Sequence, residues 1–398
     1  MATAPTRQVP RPTRARRLGL ALAPQQRVYA AFFLYAFGMG GIFPRLGDIQ
    51  RAMGIAEGAL GLALIGAAVG TTLTLTFAGR WVARIGHRRV LLGGLVLLPA
   101  CYAAASFARS PAALFALLLP AGLFIGSIEI VVNLEADRVE HQTGRRIMNR
   151  AHGFWSVGFF SAGLLGALVS QLGLAPQAHL LLVVPASLGA TLLLLGRFDA
   201  APQRAASHAA PPSRFTRPTW GLMLLVVVTL SAMVLEGAGA EWSAIYMRDV
   251  FGASPFLAGA AVAVGALCQA LARFIADGFV ERHAPVAVAR VLFCVLGAGA
   301  LLVFAAPNAW AALLGFGLMG VGTSAIFPLA MSAAAQRTDR PPATNVAALA
   351  QISFVAFLLG PPLLGFVAEH WGVRWAYGVG LPLVAISFVA ASALRPPR

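Results

Sequence analysis

Lysine is absent from this 398-residue chain, and all 30 of its basic residues are arginine. A phosphate-cradling Walker A loop needs its lysine, so the chain cannot itself be an ATP-driven pump of that kind. A Schiff-base lysine for covalent catalysis is excluded as well. Charge of any sign is scarce: charged residues make up 11%, against about 25% in ordinary soluble domains. The three cysteines, Cys101, Cys268 and Cys294, all fall in apolar stretches. They read as small buried hydrophobes and imply no disulfide framework. The sequence has no zinc-helix motif, no clustered metal ligands and no serine-hydrolase elbow. The nearest serine motif, Gly153-Phe154-Trp155-Ser156-Val157-Gly158, has the wrong spacing and lies in an apolar stretch. No cofactor is implied, and no enzyme.

What the chain has in abundance is apolar sequence. It is 59% hydrophobic, with a mean hydropathy of +0.78. Twelve long apolar segments run over 28–46, 57–78, 89–108, 111–136, 151–173, 178–197, 219–246, 254–280, 285–306, 308–335, 344–368 and 372–394. A membrane span needs about 20 such residues, and backbone polar groups in lipid are satisfied within the segment only by a helix. The expectation is an all-α membrane protein of twelve transmembrane helices, with short loops between them. The net charge of +16 then has no folded basic face to form on, and nucleic acid is not expected as a partner.

The arginines sort by loop. The N-terminal tail, the even-numbered gaps with their flanks, and the C-terminal tail hold 24 of them. The odd-numbered gaps hold only Arg45, Arg51, Arg109, Arg248 and Arg374, and Arg273 lies inside a segment. Basic loops are retained on the cytoplasmic side of a membrane, so both ends are expected there. Arg16-Arg17 before Leu18–Ala23 has the look of a twin-arginine export signal, but Pro24, Gln25, Gln26 and Arg27 interrupt the apolar run. It reads as an anchor for the first span. The longest polar break, 198–218, divides the segments six from six. The expected organisation is a tail at 1–27, a six-helix bundle at 28–197, a linker at 198–218, a second bundle at 219–394 and a tail at 395–398. A faint repeat supports two related halves: Val82-Ala83-Arg84-Ile85-Gly86 and Val280-Glu281-Arg282-His283-Ala284 occupy equivalent gaps.

Glycine is common, often at the small-residue spacing that lets helices approach in lipid: Gly66 with Gly70, Gly122 with Gly126, and Gly315, Gly317, Gly320 and Gly322. Gly38, Gly40 and Gly41 before Pro44-Arg45 suggest a bendable end to the first span. Pro328 and Pro361-Pro362 mark kinks.

Ionisable groups inside a span are expensive and should face a cavity or a partner. Glu129 has Asn133 one turn on, on the same face. Glu236 and Glu241 lie in the seventh segment, with Trp242 beside the second, and Gln351 lies in the eleventh. Glu129 and Glu236 are candidate proton-coupling carboxyls, or structural groups satisfied by their neighbours. Glu241, nearer the outer end, reads as a hydrated rim position. Arg273 and Asp277 are spaced i, i+4 for an ion pair within one helix. His152 stands at the start of the fifth segment as an interfacial group or a functional one. Trp155 and Trp242 can stack on a sugar ring, or simply pack.

The stretch Gly79-Arg80-Trp81-Val82-Ala83-Arg84-Ile85-Gly86-His87-Arg88-Arg89 resembles the signature of the major facilitator superfamily between its second and third spans. The resemblance extends over nearly the whole chain. It implies two six-helix bundles around a central cavity, in a multi-pass protein of the bacterial inner membrane. In that family an acidic residue of this loop latches cytoplasmic charges; here its position is Ala83, and His87 replaces a basic residue. Glu281, at the matching place in the second half, becomes the candidate gate residue, alongside Gly79, Arg80, Arg84, Gly86 and Arg88. Asn133, His152-Gly153 with Ser156 and Gly158, Glu236-Gly237, Glu241-Trp242-Ser243 and Gly360-Pro361-Pro362 are similar to a bacterial branch that includes a rhizopine-transport-related protein. That implies a sugar- or polyol-like solute. The expected function is secondary active transport of a small solute, with protons as a candidate coupling ion and a monomer as the working unit. Export of amphipathic drugs or metabolites uses the same scaffold, and a non-transporting sensor or scaffold is the alternative from another class.

Overall fold

A computed structural model describes residues 19–77, 82, 84–145, 147–202, 219–280, 282–340 and 342–395. Within them twelve helical stretches are long and apolar enough to cross a membrane: Pro24–Met53, Glu57–Phe77, His87–Ala105, Pro111–Thr143, Arg150–Gln171, Pro176–Leu195, Trp220–Glu241, Pro255–Ile275, Pro285–Phe304, Ala309–Ala335, Thr344–Trp371 and Trp375–Leu394. These are spans one to twelve below. The all-α expectation holds, and the described residues contain no strand.

Local chemistry sets the helix ends. Spans one, four, six, eight and nine begin on proline, whose missing N–H would have no helical partner there. Ser110 and Asn308 accept hydrogen bonds from Ala113 N and Ala311 N at the starts of spans four and ten. Several bounds differ from the hydropathy reading because capping, not apolar content, ends a helix. Span one starts four residues earlier, at Pro24, and span four runs on to Thr143 before Gly144 closes it in the left-handed conformation (φ 66°).

The bends fall mostly where glycine and proline suggest. The first helix stops at Gly40; a 3₁₀ turn, Phe43–Arg45, and a short helix, Leu46–Met53, follow. Span ten breaks after Thr323 and resumes at Ile326. Pro328 has no N–H to offer the Ser324 carbonyl four residues back, so that carbonyl is left for another donor. Pro361-Pro362, by contrast, stay within one helix, Pro342–Trp371. Span seven ends at Glu241, and after a non-helical Trp242 a short helix, Ser243–Phe251, leads to span eight.

The small-residue stripes meet each other. Spans two and four cross so closely that a Cβ at Gly70 would overlap the Leu119 carbonyl, and one at Gly122 the Ala67 carbonyl. Gly315 and Gly322 pack on span nine and Gly320 on span eight in the same manner. Spans one to six form one bundle and seven to twelve a second, and the bundles meet along spans five and eight and spans two and eleven. Cys101 and Cys268 are partly buried, whereas Cys294 is exposed on the outside of its span. The expectation of three buried thiols is corrected there: an exterior wetted by lipid accepts an apolar thiol as readily as a core does.

Candidate functional site

Between the bundles lies a cavity of about 1970 Å³. At one end it reaches residues near the chain ends, Gln25, Gln26 and Leu394, the loop residue Arg145 and Arg150 at the start of span five. At the other it is shut. There Arg248, after span seven, donates to the Gly47 carbonyl at 2.7 Å and to Gln50 at 3.2 Å, joining the two bundles. Gly58 N at the start of span two meets Glu369 of span eleven at 3.0 Å, and Phe256 N of span eight meets Gln171 of span five at 3.1 Å. Close helix crossings reinforce the seal: Gly61 against Pro361 and Gly365, and Gly259 against Ala167.

Most of the sequence candidates converge on this cavity. Glu129, Asn133, His152, Trp155, Glu236, Glu241, Arg273 and Gln351 all line it. On the first bundle's wall, Asn133 Nδ2 donates to Glu129 Oε1 at 2.8 Å. Tyr35, from span one, reaches the same carboxyl. Trp155 sits edge-on to Tyr35 and stacks on Phe159, with ring centroids 5.4 Å apart. His152 is set against the Phe32 ring in the cavity wall.

On the second bundle's wall, Arg273 of span eight is the centre. Its guanidinium lies 3.9 Å from Glu236, donates to the Ser324 carbonyl at 3.1 Å, and crosses to Ser156 Oγ of the first bundle at 2.9 Å. The Ser324 acceptor is the one that Pro328 leaves free. The expected partner Asp277 has its side chain outside the described residues, so the i, i+4 pair is not among the contacts. Glu241, expected at a rim near the outer end, lines the cavity toward its shut end, and its Oε2 is buried with no hydrogen-bond partner among the described residues. Trp242 takes the packing alternative. It is fully buried, does not line the cavity, and packs its ring against Gly365 of span eleven. One residue past Glu241 the helix has ended, and the turn swings the next side chain into the span-eleven seam.

Gly79 and Arg80 of the signature loop, and Glu281 at the matching place in the second half, lie outside the described residues. Arg84 is exposed, and Gly86 (φ 88°) opens the third span. Arg88 donates to the carbonyls of Gly196 and Phe198 at the end of span six. His87 and Arg138 both bind the buried Glu135 of span four, at 3.0 and 3.2 Å. The Glu135 Oε2 also accepts from Ala201 N at 2.9 Å. Glu135 thus holds His87 of this loop and ties span four to the backbone at Ala201, just beyond span six. Sequence reasoning passed over Glu135, the cavity residues Tyr35, Tyr102, Gln269 and Thr323, and the seal residues Arg248, Glu369 and Gln171. Glu135 lies 48 positions from His87 in the chain and carried no signal; only packing brings them together. No group of three or more metal-ligating side chains occurs among the described residues.

The Major Facilitator Superfamily profile matches residues 28–244 and again 224–398. An uncharacterised MFS-type transporter of Yersinia pestis is 29% identical, covering 94% of this chain and 97% of its own length. Membrane protein MosC of Rhizobium meliloti is 22% identical over 91% of this chain and 87% of its own. Among solved structures, a variant of the nucleoside transporter NupG superposes with a TM-score of 0.69 at 15% identity, covering 94% of this chain and 99% of that one. A variant of the E. coli fucose:proton symporter FucP gives 0.61 at 18% identity, covering 94% and 99%. The chain is a multi-pass membrane transporter and not an enzyme, and it belongs to the Major Facilitator Superfamily.

Proposed function

We propose that the chain moves a small polar, polyhydroxylated solute by alternating access, with a proton as the coupled ion. The observation that carries this reading is the cavity between the bundles, open at one end, shut at the other, with ionisable and amide groups set into a mostly apolar wall. The arginine-rich loops assign the open end to the cytoplasm, so this is the inward-facing state. Several polar groups facing one chamber favour a polar solute over an amphipathic drug, which needs a wide and nearly uncharged one. Trp155 offers an aromatic face to a sugar-like ring, and Glu129 with Asn133 offers acceptor and donor to its hydroxyls. NupG is a nucleoside transporter and FucP a fucose:proton symporter, and both agree in kind with this reading. Glu129 is the coupling carboxyl of choice, with Glu236 second: a carboxyl in a low-dielectric chamber can take up a proton from one side and release it to the other.

The test is uptake into proteoliposomes of sugars, polyols and nucleosides, with and without a pH gradient. A gradient-driven signal lost in both Glu129→Gln and Glu236→Gln supports coupling there; a signal that keeps its gradient dependence in both variants removes it. Transport of none of the panel turns the case toward a sensor or scaffold. Sidedness is tested by Ala205→Cys: an impermeant thiol reagent should label it only from the cytoplasmic face, and labelling in intact cells would invert the topology.

A further inference from the structure

The shut end of the cavity repeats one device in each half of the chain. A helix leaves its first N–H groups without intrahelical partners. Gly58 is the second residue of the helix of span two, and Phe256 the second residue of the helix of span eight. Each N–H is satisfied by a side chain from the opposite bundle: Gly58 N donates to Glu369 Oε2 at 3.0 Å, and Phe256 N to Gln171 Oε1 at 3.1 Å. The correspondence extends further. Gly58 and Phe256 are 198 positions apart, and so are Gln171 and Glu369. Three residues beyond each capped N–H stands a glycine, Gly61 or Gly259, where the two bundles cross too closely for a Cβ. Just before each helix, Gly54 (φ 63°) and Gly252 (φ 58°) end the preceding short helix in the left-handed conformation.

We propose that Gln171 and Glu369 are reciprocal caps in trans, each bundle closing a helix start of the other, and that together they set how readily the shut end opens. Opening on that side separates span two from span eleven and span five from span eight, so both helix starts lose their caps to water at once. The caps are unequal. Glu369 places a carboxylate at the positive end of a helix, whereas Gln171 is neutral and span eight keeps Ser254 Oγ, which accepts from Leu257 N, as a cap of its own. Glu369 is the stronger latch. This inference rests on the alternating-access reading above.

The test uses Gly239→Cys as a reporter, because Gly239 lines the cavity with open space where a Cβ would sit. Its labelling by an impermeant maleimide, added at the shut face, is compared with that of the chain without the substitution. A lost helix cap is worth a few-fold in an equilibrium when the site is open to water. Labelling from that face should rise about threefold to fivefold in Glu369→Ala, about twofold in Gln171→Ala, and by the product in the double variant. Glu369→Gln, which keeps an acceptor, should return most of the way to the parent. Gly58→Ala, whose methyl displaces the Glu369 carboxylate, should mimic Glu369→Ala. An unchanged rate in the double variant overturns the proposal, as does a rise equal from both faces, which is the mark of general loosening. If the parent chain transports nothing, alternating access fails on its own account, while the labelling assay still reads the caps.

Discussion

The two walls of the cavity satisfy their polar groups in different ways. The first bundle's wall is closed on itself: Glu129 is held by Asn133 one turn along the same helix and by Tyr35 of a neighbouring span. The second wall is open-ended. Its Glu236 and Arg273 stand 3.9 Å apart, Arg273 takes a partner from the opposite bundle, and one Glu241 oxygen has no partner among the described residues. Buried polar atoms are normally paired, and an unpaired one marks strain or function. The difference suggests a division of labour, with a fixed recognition surface on spans one, four and five, and groups that exchange partners on spans seven and eight.

The hardest blow to that contrast is Arg273→Leu. It leaves Glu236 without its cation, returns the Ser324 carbonyl to the state Pro328 imposed, and removes the bond to Ser156. Breaking a buried pair from one side costs about 3–5 kcal/mol; with Glu236 30% exposed, about 1–3 kcal/mol is expected here, read as thermal unfolding in detergent, with uptake falling more than tenfold. Ser156→Ala should separate the two roles, leaving stability within about 1 kcal/mol while altering the uptake rate. If Arg273→Leu transports normally, the second wall is only packing.

Next comes a test of the packed seams that hold the first wall rigid. Gly122→Ala places a methyl against the Ala67 carbonyl, and overpacking of this kind costs about 1–3 kcal/mol. Because the seam lies within one bundle, thermal stability should fall with little change in solute affinity. Gly93→Ala, where a Cβ meets open space, is the matched control and should change neither.

The smallest expected effect sharpens the comparison outside the membrane. At the end of the first bundle, Glu135 gathers His87, Arg138 and the Ala201 N–H. In the second, Asp339 gathers Thr219 Oγ1 at 2.8 Å, Asn345 Nδ2 at 2.9 Å and Arg337. The Thr219 hydroxyl foremost, then Asn345 and Arg337, hold the Asp339 carboxyl below the ordinary aspartate value. A depressed folded-state pKa gives stability that is complete above the unfolded value, about 3.9, and lost as pH falls through the lower folded one. Asp339→Asn should therefore lower the melting temperature slightly at pH 5–7 and have no effect once the pH is well below 4. A loss that persists at the acidic end would assign the residue's role to shape and not to charge.

Much of this was legible before any fold was known. Twelve apolar stretches are visible in one dimension because lipid demands a continuous run of about 20 apolar residues from each span. The intramembrane carboxyls Glu129 and Glu236 stood out for the converse reason, since an ionisable group there is too expensive to be incidental. Glu135, Arg248 and Glu369 did not, for they fall near helix ends, where a charge is ordinary. For Trp242 the sequence left stacking and packing both open, because adjacency to Glu241 says nothing of direction once a helix ends between them.

Sequence alone determined the solvent, the number of crossings and the sorting of charge, because each follows from local composition meeting a bilayer. Tertiary structure decided which polar groups face one another: that Arg273 reaches Glu236, Ser156 and Ser324, that Trp242 turns into a seam, and that Glu369 and Gln171 close helix starts in the opposite bundle. Those pairings join residues up to 311 positions apart, and only the packing of twelve helices sets such distances.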